Sequence, residues 1–269
     1  MTKLHPIALI TGGSSGIGEA LAHLFAGQGH DVVLASRNEA MLNTVADAIA
    51  TTGRQRPLVL PIDLARSDSG VALGHELATR GLEPAFVVNN AGFGLGGQAE
   101  SLDRGEQLAM IDLNVRALTD LSLRWTESIR RHGGGILNVA SVAGFFPGPG
   151  MAVYFATKAY VLSFTEALHH ELARTGIRVT ALCPGPVQTR FLERAGLGEA
   201  RLPQAFNVSA EAVALAGFNG LMAGKRVVVP GTANRLATFM AGLVPHRVTL
   251  ASISAKNNGR LRKDQMPSP

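Results

Sequence analysis

Two residues, Tyr154 and Lys158, have the types and the spacing of a proton-transfer pair on one predicted helix. Because they are four positions apart, their side chains project from the same helix face. A phenol with a pKa of about 10 exchanges protons poorly near neutrality, and a neighbouring ammonium group favours the phenolate and lowers that pKa. The pair therefore suggests acid–base chemistry on a carbonyl or an alcohol, where an alkoxide needs a proton.

Two further polar residues could complete such a site. Ser141 follows a predicted strand, and its hydroxyl could hold a substrate oxygen as charge develops there. Asn114 lies within a predicted helix, where an amide without a role would be unusual. Each residue alone is weak support, because a tyrosine on an apolar helix face is most often core and a lysine four positions on is most often exposed. These four residues together would indicate a catalytic site if a cofactor that carries hydride binds beside them.

A glycine-rich turn, Thr11–Gly18, joins the first predicted strand to the first predicted helix. Glycines let the backbone turn tightly and approach a pyrophosphate, which a helix N-terminus also attracts. An ordinary turn would not need four glycines in seven positions. A second run, Gly92–Gly97, fits the general G-x-G-x-x-G pattern of dinucleotide-binding turns, but no helix opens on it, and we interpret it as a loop beside the site. The predicted cofactor contacts in the first turn are Thr11, Gly12, Ser14, Ser15, Gly16, Ile17 and Gly18.

The end of the second predicted strand indicates which nicotinamide cofactor is used. An Asp or Glu there would hydrogen-bond the adenosine ribose 2′-hydroxyl, whereas this chain has Ser36 followed by Arg37. A hydroxyl and a guanidinium can accept a 2′-phosphate, which an acidic residue would repel. We therefore expect NADP(H). The alternative is that Arg37 is a solvated charge at the start of the next helix.

Short apolar runs alternate with helix-period segments along most of the chain. The predicted strands are Ile7–Thr11, Asp31–Ser36, Pro57–Asp63, Phe86–Asn89, Ile136–Ala140, Arg178–Cys183 and Arg226–Val229. The predicted helices are Ile17–Gln28, Glu39–Ala50, Asp68–Arg80, Gln107–Arg131, Val153–Arg174 and Ala210–Ala223. Strands that are apolar on both faces and alternate with crossover helices predict an α/β fold with a doubly wound, seven-stranded parallel sheet of Rossmann type. Residues 1–231 form its single domain, and residues 232–269 form an extension.

Composition limits the classes of partner and compartment. The formal net charge is +5, but the basic residues are dispersed, and we interpret the one dense group, Arg260 to Lys263, as a solvated tail rather than a nucleic-acid contact. The single cysteine, Cys183, excludes an intrachain disulfide and fits a cytoplasmic protein. No apolar run is long enough for a membrane span. The adjacent pair His169–His170 lacks metal-ligand spacing, so no metal is expected.

With these residues in place, the chain resembles the single-domain branch of the short-chain dehydrogenase/reductase family. The motifs that carry the resemblance are Thr11-Gly12-x3-Gly16-x-Gly18, Asp63, Asn89-Asn90-Ala91-Gly92, Asn114, Ser141, Tyr154-x3-Lys158 and Pro184-Gly185-x-Val187-x-Thr189. The resemblance implies that Tyr154 is the general acid/base, that Lys158 also holds the nicotinamide ribose, and that Ser141 binds the substrate oxygen. It implies that Asn114 keeps a water in a proton relay.

The resemblance also implies further cofactor contacts. Asp63, with Leu64, would contact the adenine, Asn90, Ala91 and Gly92 would line the cofactor, and Pro184, Gly185, Val187 and Thr189 would cradle the nicotinamide. The sequences of these motifs are similar to those of bacterial NADP-type reductases. The rival function is a non-catalytic NADP(H)-binding sensor on the same fold, although such proteins generally lose the Tyr or the Lys.

Two regions define the substrate and the assembly. The loop Pro186–Gln204 carries Phe191, Leu192, Leu197 and Leu202, and with Phe145, Phe146 and Met151 it predicts a mainly apolar pocket for a small carbonyl or alcohol. Some of these residues could be core instead. The extension contains an apolar helix-like piece over Arg235–Val244, which could pack on its own subunit, cover the substrate, form a dimer contact or lie on a membrane surface. We expect a homodimer.

Overall fold

The computed structural model describes residues 4–187, 208–241 and Leu250. Three predictions therefore lie wholly or mainly outside the described residues. They are the nicotinamide contact of Thr189, the apolar side chains of the loop after Val187, and the part of the extension that follows Ala241, apart from Leu250.

One sheet of seven parallel strands organises the protein, in the order β3-β2-β1-β4-β5-β6-β7. The strands are β1 (His5–Thr11), β2 (Val32–Ser36), β3 (Leu58–Pro61), β4 (Leu82–Asn89), β5 (Gly135–Val139), β6 (Arg178–Leu182) and β7 (Val227–Val228). The predicted doubly wound parallel sheet is confirmed. The chain leaves β1 toward β2 and β3 and then returns to the other side of β1 with β4, so a crevice opens between the loops that follow β1 and β4.

Helices cover both faces of the sheet. They are α1 (Gly16–Gly27), α2 (Glu39–Ala50), α3 (Ser69–Thr79), α4 (Arg104–Ile111), α5 (Leu118–Arg124), α6 (Thr126–Arg131), α7 (Ala152–Leu172), α8 (Ala210–Met222) and α9 (Thr232–Ala241), with a π-helical turn at Asp112–Ala117 and a 3₁₀ turn at Val142–Phe145. None of the helices within the described ranges combines the length and the hydropathy required to cross a bilayer.

Two large apolar clusters form the core, one on each face of the sheet. On one face, Leu34 and Val88 of the sheet pack with Phe25 of α1 and Phe218 of α8. On the other face, side chains of the same strands pack against α3, α5, α6 and α7. Because every central strand is buried on both sides, its sequence is continuously apolar rather than alternating, which explains the predicted strand pattern.

Several element boundaries differ from the sequence prediction, and two of these differences have a visible structural cause. Strand β4 begins at Leu82 instead of Phe86, because its register with β1 steps from Pro84 to Phe86 and leaves Ala85 as a bulge. A bulge accommodates a proline, which has no N–H to donate to the ladder. The single long helix predicted over Gln107–Arg131 is divided by the π-helical turn and by a break at Trp125, whose φ of −115° and ψ of 20° are not helical.

Candidate active site

The loops that follow β1, β4, β5 and β6 lie side by side, because these four strands are neighbours and run in the same direction. They carry the glycine turn, the segment Asn90–Gly92, Ser141 and the segment Pro184–Val187. The predicted edge for ligand binding therefore brings these groups to one crevice. Helix α7 crosses behind it and adds Tyr154 and Lys158.

Side-chain hydrogen bonds fix the glycine turn to the loop after β4. The Thr11 hydroxyl donates to the Val88 carbonyl at 3.1 Å and accepts from the backbone N–H of Asn90 at 3.0 Å and of Ala91 at 3.1 Å. The Asn90 amide donates to the carbonyls of Thr11 at 3.0 Å and Gly12 at 3.1 Å. The side chains of Thr11 and Asn90 therefore hold the two walls of the crevice together.

The glycines of this turn are needed for backbone conformation and for close approach. Gly12 and Gly16 have φ angles of +65° and +59°, the left-handed region that favours glycine. A Cβ atom at Gly18 would lie 2.3 Å from the Gly12 carbonyl oxygen, so helix α1 can begin against the turn only without a side chain there. Ser15 is the N-cap of α1, yet its side chain makes no capping hydrogen bond. Its hydroxyl, like that of Ser14, is partly exposed.

The end of β2 carries a polar group with no partner in the described protein. The Ser36 hydroxyl oxygen is buried and makes no hydrogen bond. Arg37 beside it is exposed, and no carboxylate among the described residues pairs with it. An unpartnered hydroxyl next to an unpaired guanidinium suits an incoming phosphate group. These residues, the helix N-terminus and the glycine cradle fit a dinucleotide.

Asp63 and Leu64 follow β3 on the same side of the crevice. One Asp63 carboxylate oxygen accepts a hydrogen bond from the backbone N–H of Ala65 at 3.0 Å, which fixes the loop and leaves the second oxygen available. Leu64 is 3% exposed and packs in the core, so only its backbone could meet a ligand. The adenine contact predicted for this pair stays a prediction.

Tyr154, Lys158 and Ser141 come together, and all three residues are buried. The Tyr154 and Ser141 hydroxyls are hydrogen-bonded to each other. The Lys158 amine lies 5.9 Å from the centre of the Tyr154 ring and donates to the Val139 carbonyl at 2.8 Å. Ser141 is placed by the 3₁₀ turn that it caps, which packs tightly on α7 because Gly144 has no side chain: a Cβ there would lie 2.7 Å from the Lys158 carbonyl oxygen.

Burial dominates the protonation of this pair. It raises the pKa of Tyr154 to about 12, against the smaller lowering effect of the hydrogen bond with Ser141. Burial also lowers the pKa of Lys158 to about 8. The net direction is therefore opposite to the lowering expected from Lys158, because the loss of hydration on burial outweighs the hydrogen bond with Ser141. Cys183 nearby is fully buried, and burial raises its pKa to about 12, as expected of an inert thiol.

Asn114 lies in the π-helical turn, and its side chain holds the loop after β4. Its amide oxygen accepts from the Phe93 N–H at 3.1 Å, and its amide nitrogen donates to the Phe93 carbonyl at 2.9 Å and to the Thr157 hydroxyl at 3.1 Å. A Cβ at Gly92 would lie 2.9 Å from the Asn114 oxygen and 3.7 Å from the Lys158 amine, so Asn114 belongs to the same site. The relay water implied for Asn114 stays a prediction.

The loop after β6 closes the far side of the crevice. The Pro184 carbonyl accepts from the Val142 N–H at 3.0 Å, which joins this loop to the turn that carries Ser141. A Cβ at Gly185 would lie 2.5 Å from both amide atoms of Asn234, a residue of α9 that is 1% exposed. Val187 is buried in the core.

Sequence reasoning gave no role to several residues that support the site. The amide of Asn89 donates to the Asn138 amide oxygen at 2.8 Å and to the Ser122 hydroxyl at 3.0 Å, and the Asn138 amide donates to the Thr165 hydroxyl at 3.0 Å. This buried network links β4, β5, α5 and α7 beneath the crevice. Asn234 was also missed, although its spacing of four from Thr238 within an apolar segment is a signal of a polar helix face.

Comparison with known proteins agrees with this arrangement. The family profile described as short chain dehydrogenase matches residues 6–199. The chain belongs to the short-chain dehydrogenase/reductase family. It is 36% identical over 209 residues, 76% of this chain and 87% of the relative, to an uncharacterized oxidoreductase of Staphylococcus epidermidis. It is also 36% identical over 189 residues, 69% of this chain and 74% of the relative, to sulfoacetaldehyde reductase 2 of Chromohalobacter salexigens.

A solved structure extends the likeness to most of the chain. A short-chain dehydrogenase from Sphingobium yanoikuyae, solved in complex with NADPH, superposes with a TM-score of 0.77 at 32% identity and covers 92% of this chain and 96% of its own. The protein is therefore a nicotinamide-dependent oxidoreductase of this family with a single-domain Rossmann-type fold.

Proposed function

We propose that the protein interconverts a carbonyl and an alcohol on a mainly hydrophobic small molecule, with NADP(H) as cofactor and Tyr154 as the general acid/base. The buried Tyr154–Ser141 hydrogen bond beside the Lys158 amine carries the proposal. Both hydroxyls can reach one substrate oxygen, which is the arrangement that an oxygen gaining or losing charge requires. When bound, the nicotinamide supplies or takes up the hydride.

Tyr154 is protonated at neutral pH, the state that reduction of a carbonyl requires. With a pKa of about 12 the Tyr154 phenol carries its proton at neutral pH and can donate it to the developing alkoxide. Ser141 holds the same oxygen through its hydroxyl. Lys158, with a pKa of about 8, keeps most of its charge at pH 7 and stabilises the phenolate left after proton donation. In the oxidation direction Tyr154 must first lose its proton, so oxidation should accelerate as the pH rises.

The assignment of NADP(H) rests on Ser36 and Arg37. The buried Ser36 hydroxyl without a partner and the exposed Arg37 guanidinium would hold the 2′-phosphate, while the glycine turn and the first turn of α1 would hold the pyrophosphate. The relative from Sphingobium yanoikuyae, which binds NADPH, supports this choice.

An apolar substrate body is supported by what surrounds Tyr154. Its ring is part of a cluster with Phe93, Met110, Ala143 and Met151, while Phe145 packs in a separate cluster against Leu118 and Val161. The similarity to sulfoacetaldehyde reductase 2 makes a short aldehyde the natural comparison compound in any substrate panel.

The proposal extends to a homodimer in the cytoplasm. Large apolar side chains are exposed on α4, α5 and α7, and they are Leu108, Ile111, Leu123 and Tyr160. The Tyr160 hydroxyl bonds that of Thr119 at 3.0 Å, so two of these helices form one continuous face. Light scattering checks the dimer: a monomer mass at micromolar concentration would contradict it.

The cofactor assignment is tested by kcat/KM for NADPH and NADH in the wild type, Arg37→Asp and Arg54→Asp. Arg54 is an exposed arginine in the turn after α2, so its replacement makes the same change in net charge away from β2. We expect the wild type to prefer NADPH, Arg37→Asp to lower that preference at least about tenfold, and Arg54→Asp to leave it unchanged. A wild-type preference for NADH, or equal effects of the two variants, would contradict the assignment.

A further inference from the structure

Helix α9 has its polar and apolar sides reversed relative to an ordinary surface helix. Asn234 and Thr238, four positions apart, face the protein and are 1% and 9% exposed. Leu236, Phe239 and Met240, spaced as one apolar stripe, are 63%, 69% and 42% exposed. A surface helix normally turns its apolar stripe toward the core. Among the described residues, Phe239 has the largest exposed fraction of any large apolar side chain.

The segment that contains this helix, residues 232–269, accounts for the net positive charge of the whole protein. Residues 232–269 hold six of the 25 lysines and arginines but one of the 20 acidic residues. Their net charge is therefore +5, equal to that of the chain, and residues 1–231 balance to zero. An apolar helix face within a basic segment is complementary to a surface that is apolar beneath and negatively charged above.

We propose that α9 docks the protein on the surface of an anionic phospholipid membrane. Leu236, Phe239 and Met240 enter the boundary between headgroups and acyl chains, and the net positive charge of the segment favours an anionic surface. Ten helical residues extend about 15 Å, half of the roughly 30 Å of a hydrocarbon core, so α9 lies along the surface. The inference is independent of the reaction catalysed.

The anchoring of α9 places the catalytic crevice beside this surface. Asn234 donates to the Pro230 carbonyl at 2.9 Å and contacts Gly185 in the loop after β6. The helix also packs against the 3₁₀ turn that follows Ser141. A membrane bound at α9 would therefore lie beside the two loops, after β5 and β6, that line the crevice.

Vesicle cosedimentation of the full chain tests the proposal. The variant Leu236→Ser/Phe239→Ser removes two exposed apolar groups from α9, and the matched control Val71→Ser/Leu215→Ser removes two from α3 and α8, where they are 62% and 48% exposed. We expect the wild type and the control to bind phosphatidylcholine–phosphatidylglycerol vesicles, and the α9 variant to bind at least about tenfold more weakly. Vesicles of phosphatidylcholine alone, or high salt, should also weaken binding.

A fluorescence measurement reports the depth of the helix directly. In Phe239→Trp, the emission of the new indole should shift to the blue on addition of the anionic vesicles, because it leaves water. No binding by the wild type, equal binding by the α9 variant, or an unshifted indole would each overturn the proposal. So would a fall in mass by light scattering for the α9 variant alone without vesicle binding, since α9 would then cover a second copy of the chain.

Discussion

The substitution Gly18→Ala, which adds one methyl group, tests how closely helix α1 approaches the glycine turn. A Cβ there would lie 2.3 Å from the Gly12 carbonyl oxygen and 2.4 Å from the Asn90 amide nitrogen, where ordinary contact begins at 3.4 Å. Both groups must move by about 1 Å to admit it. That movement separates the Asn90 amide from the carbonyls of Thr11 and Gly12, which it now meets at 3.0 and 3.1 Å.

The cost of Gly18→Ala can be worked from these contacts. Two lost hydrogen bonds cost about 1 kcal/mol each, and the displaced backbone adds strain, while the better helix propensity of alanine returns about 1 kcal/mol. We expect the free energy of unfolding to fall by about 1–3 kcal/mol. Cofactor affinity should fall at least about tenfold, because the shifted carbonyl narrows the space for the pyrophosphate.

Urea denaturation and NADPH fluorescence titration measure the two effects. Gly74→Ala is the matched control, since Gly74 lies within α3 with no atom within 4 Å of an added Cβ. It should stabilise the protein by up to about 1 kcal/mol and leave NADPH affinity unchanged. If Gly18→Ala unfolds at the wild-type urea concentration and binds NADPH normally, the close approach of α1 to the turn is wrong.

Three further predictions follow from buried contacts. Gly185→Ala should weaken NADPH binding in titrations, because the added Cβ would lie 2.5 Å from the Asn234 amide. Adding Asn234→Ala removes this clash and should restore part of the affinity for NADPH. Losses of affinity that are strictly additive in the double variant would contradict this coupling. Asn114→Ala removes three buried hydrogen bonds, two with the Phe93 backbone and one with the Thr157 hydroxyl, and should lower the free energy of unfolding by about 2–3 kcal/mol, so an unchanged urea midpoint would refute it. Burial acts to raise the pKa of Glu83, but hydrogen bonds from Arg131 and His132 outweigh it and hold that pKa below its ordinary value. The ionised carboxylate therefore stabilises the fold at pH values above the ordinary pKa of a glutamate, and this stabilisation is lost as the pH falls through the lowered pKa. Glu83→Gln should lower the free energy of unfolding by about 1 kcal/mol at pH 7 and by much less near pH 3. A difference in urea midpoint that does not change with pH would refute this prediction.

The sequence predicted those elements whose boundaries are set by local chemistry. Helix α2 was predicted with its observed bounds, Glu39–Ala50, because the Asn38 side chain caps it by accepting from the Met41 N–H. The start of β4 could not be predicted, because Pro84 argues against a strand unless a bulge is present, and the bulge depends on pairing with β1. The π-helical turn likewise depends on packing of its neighbours against the sheet.

The site shows the same division. The types and spacing of Tyr154, Lys158 and Ser141 indicated a common site, and the structure brings them together. The direction of the Tyr154 pKa could not be predicted, because it is set by a burial that many distant residues create. The exposure of the apolar stripe of α9 could not be predicted either, because the sequence of an apolar segment does not show which of its faces packs against the protein.

The most direct test of the central claim compares Tyr154→Phe with Tyr160→Phe across a panel of aldehydes and ketones with NADPH. The two tyrosines of the chain lie on the same helix, and Tyr160 is 40% exposed and away from Ser141. We predict that the wild type and Tyr160→Phe reduce the same carbonyl compound, while Tyr154→Phe binds NADPH normally and loses at least about a hundredfold in kcat. Turnover by Tyr154→Phe within a few-fold of the wild type would contradict the account, as would a wild type that binds NADPH tightly and reduces no compound, the behaviour of a sensor.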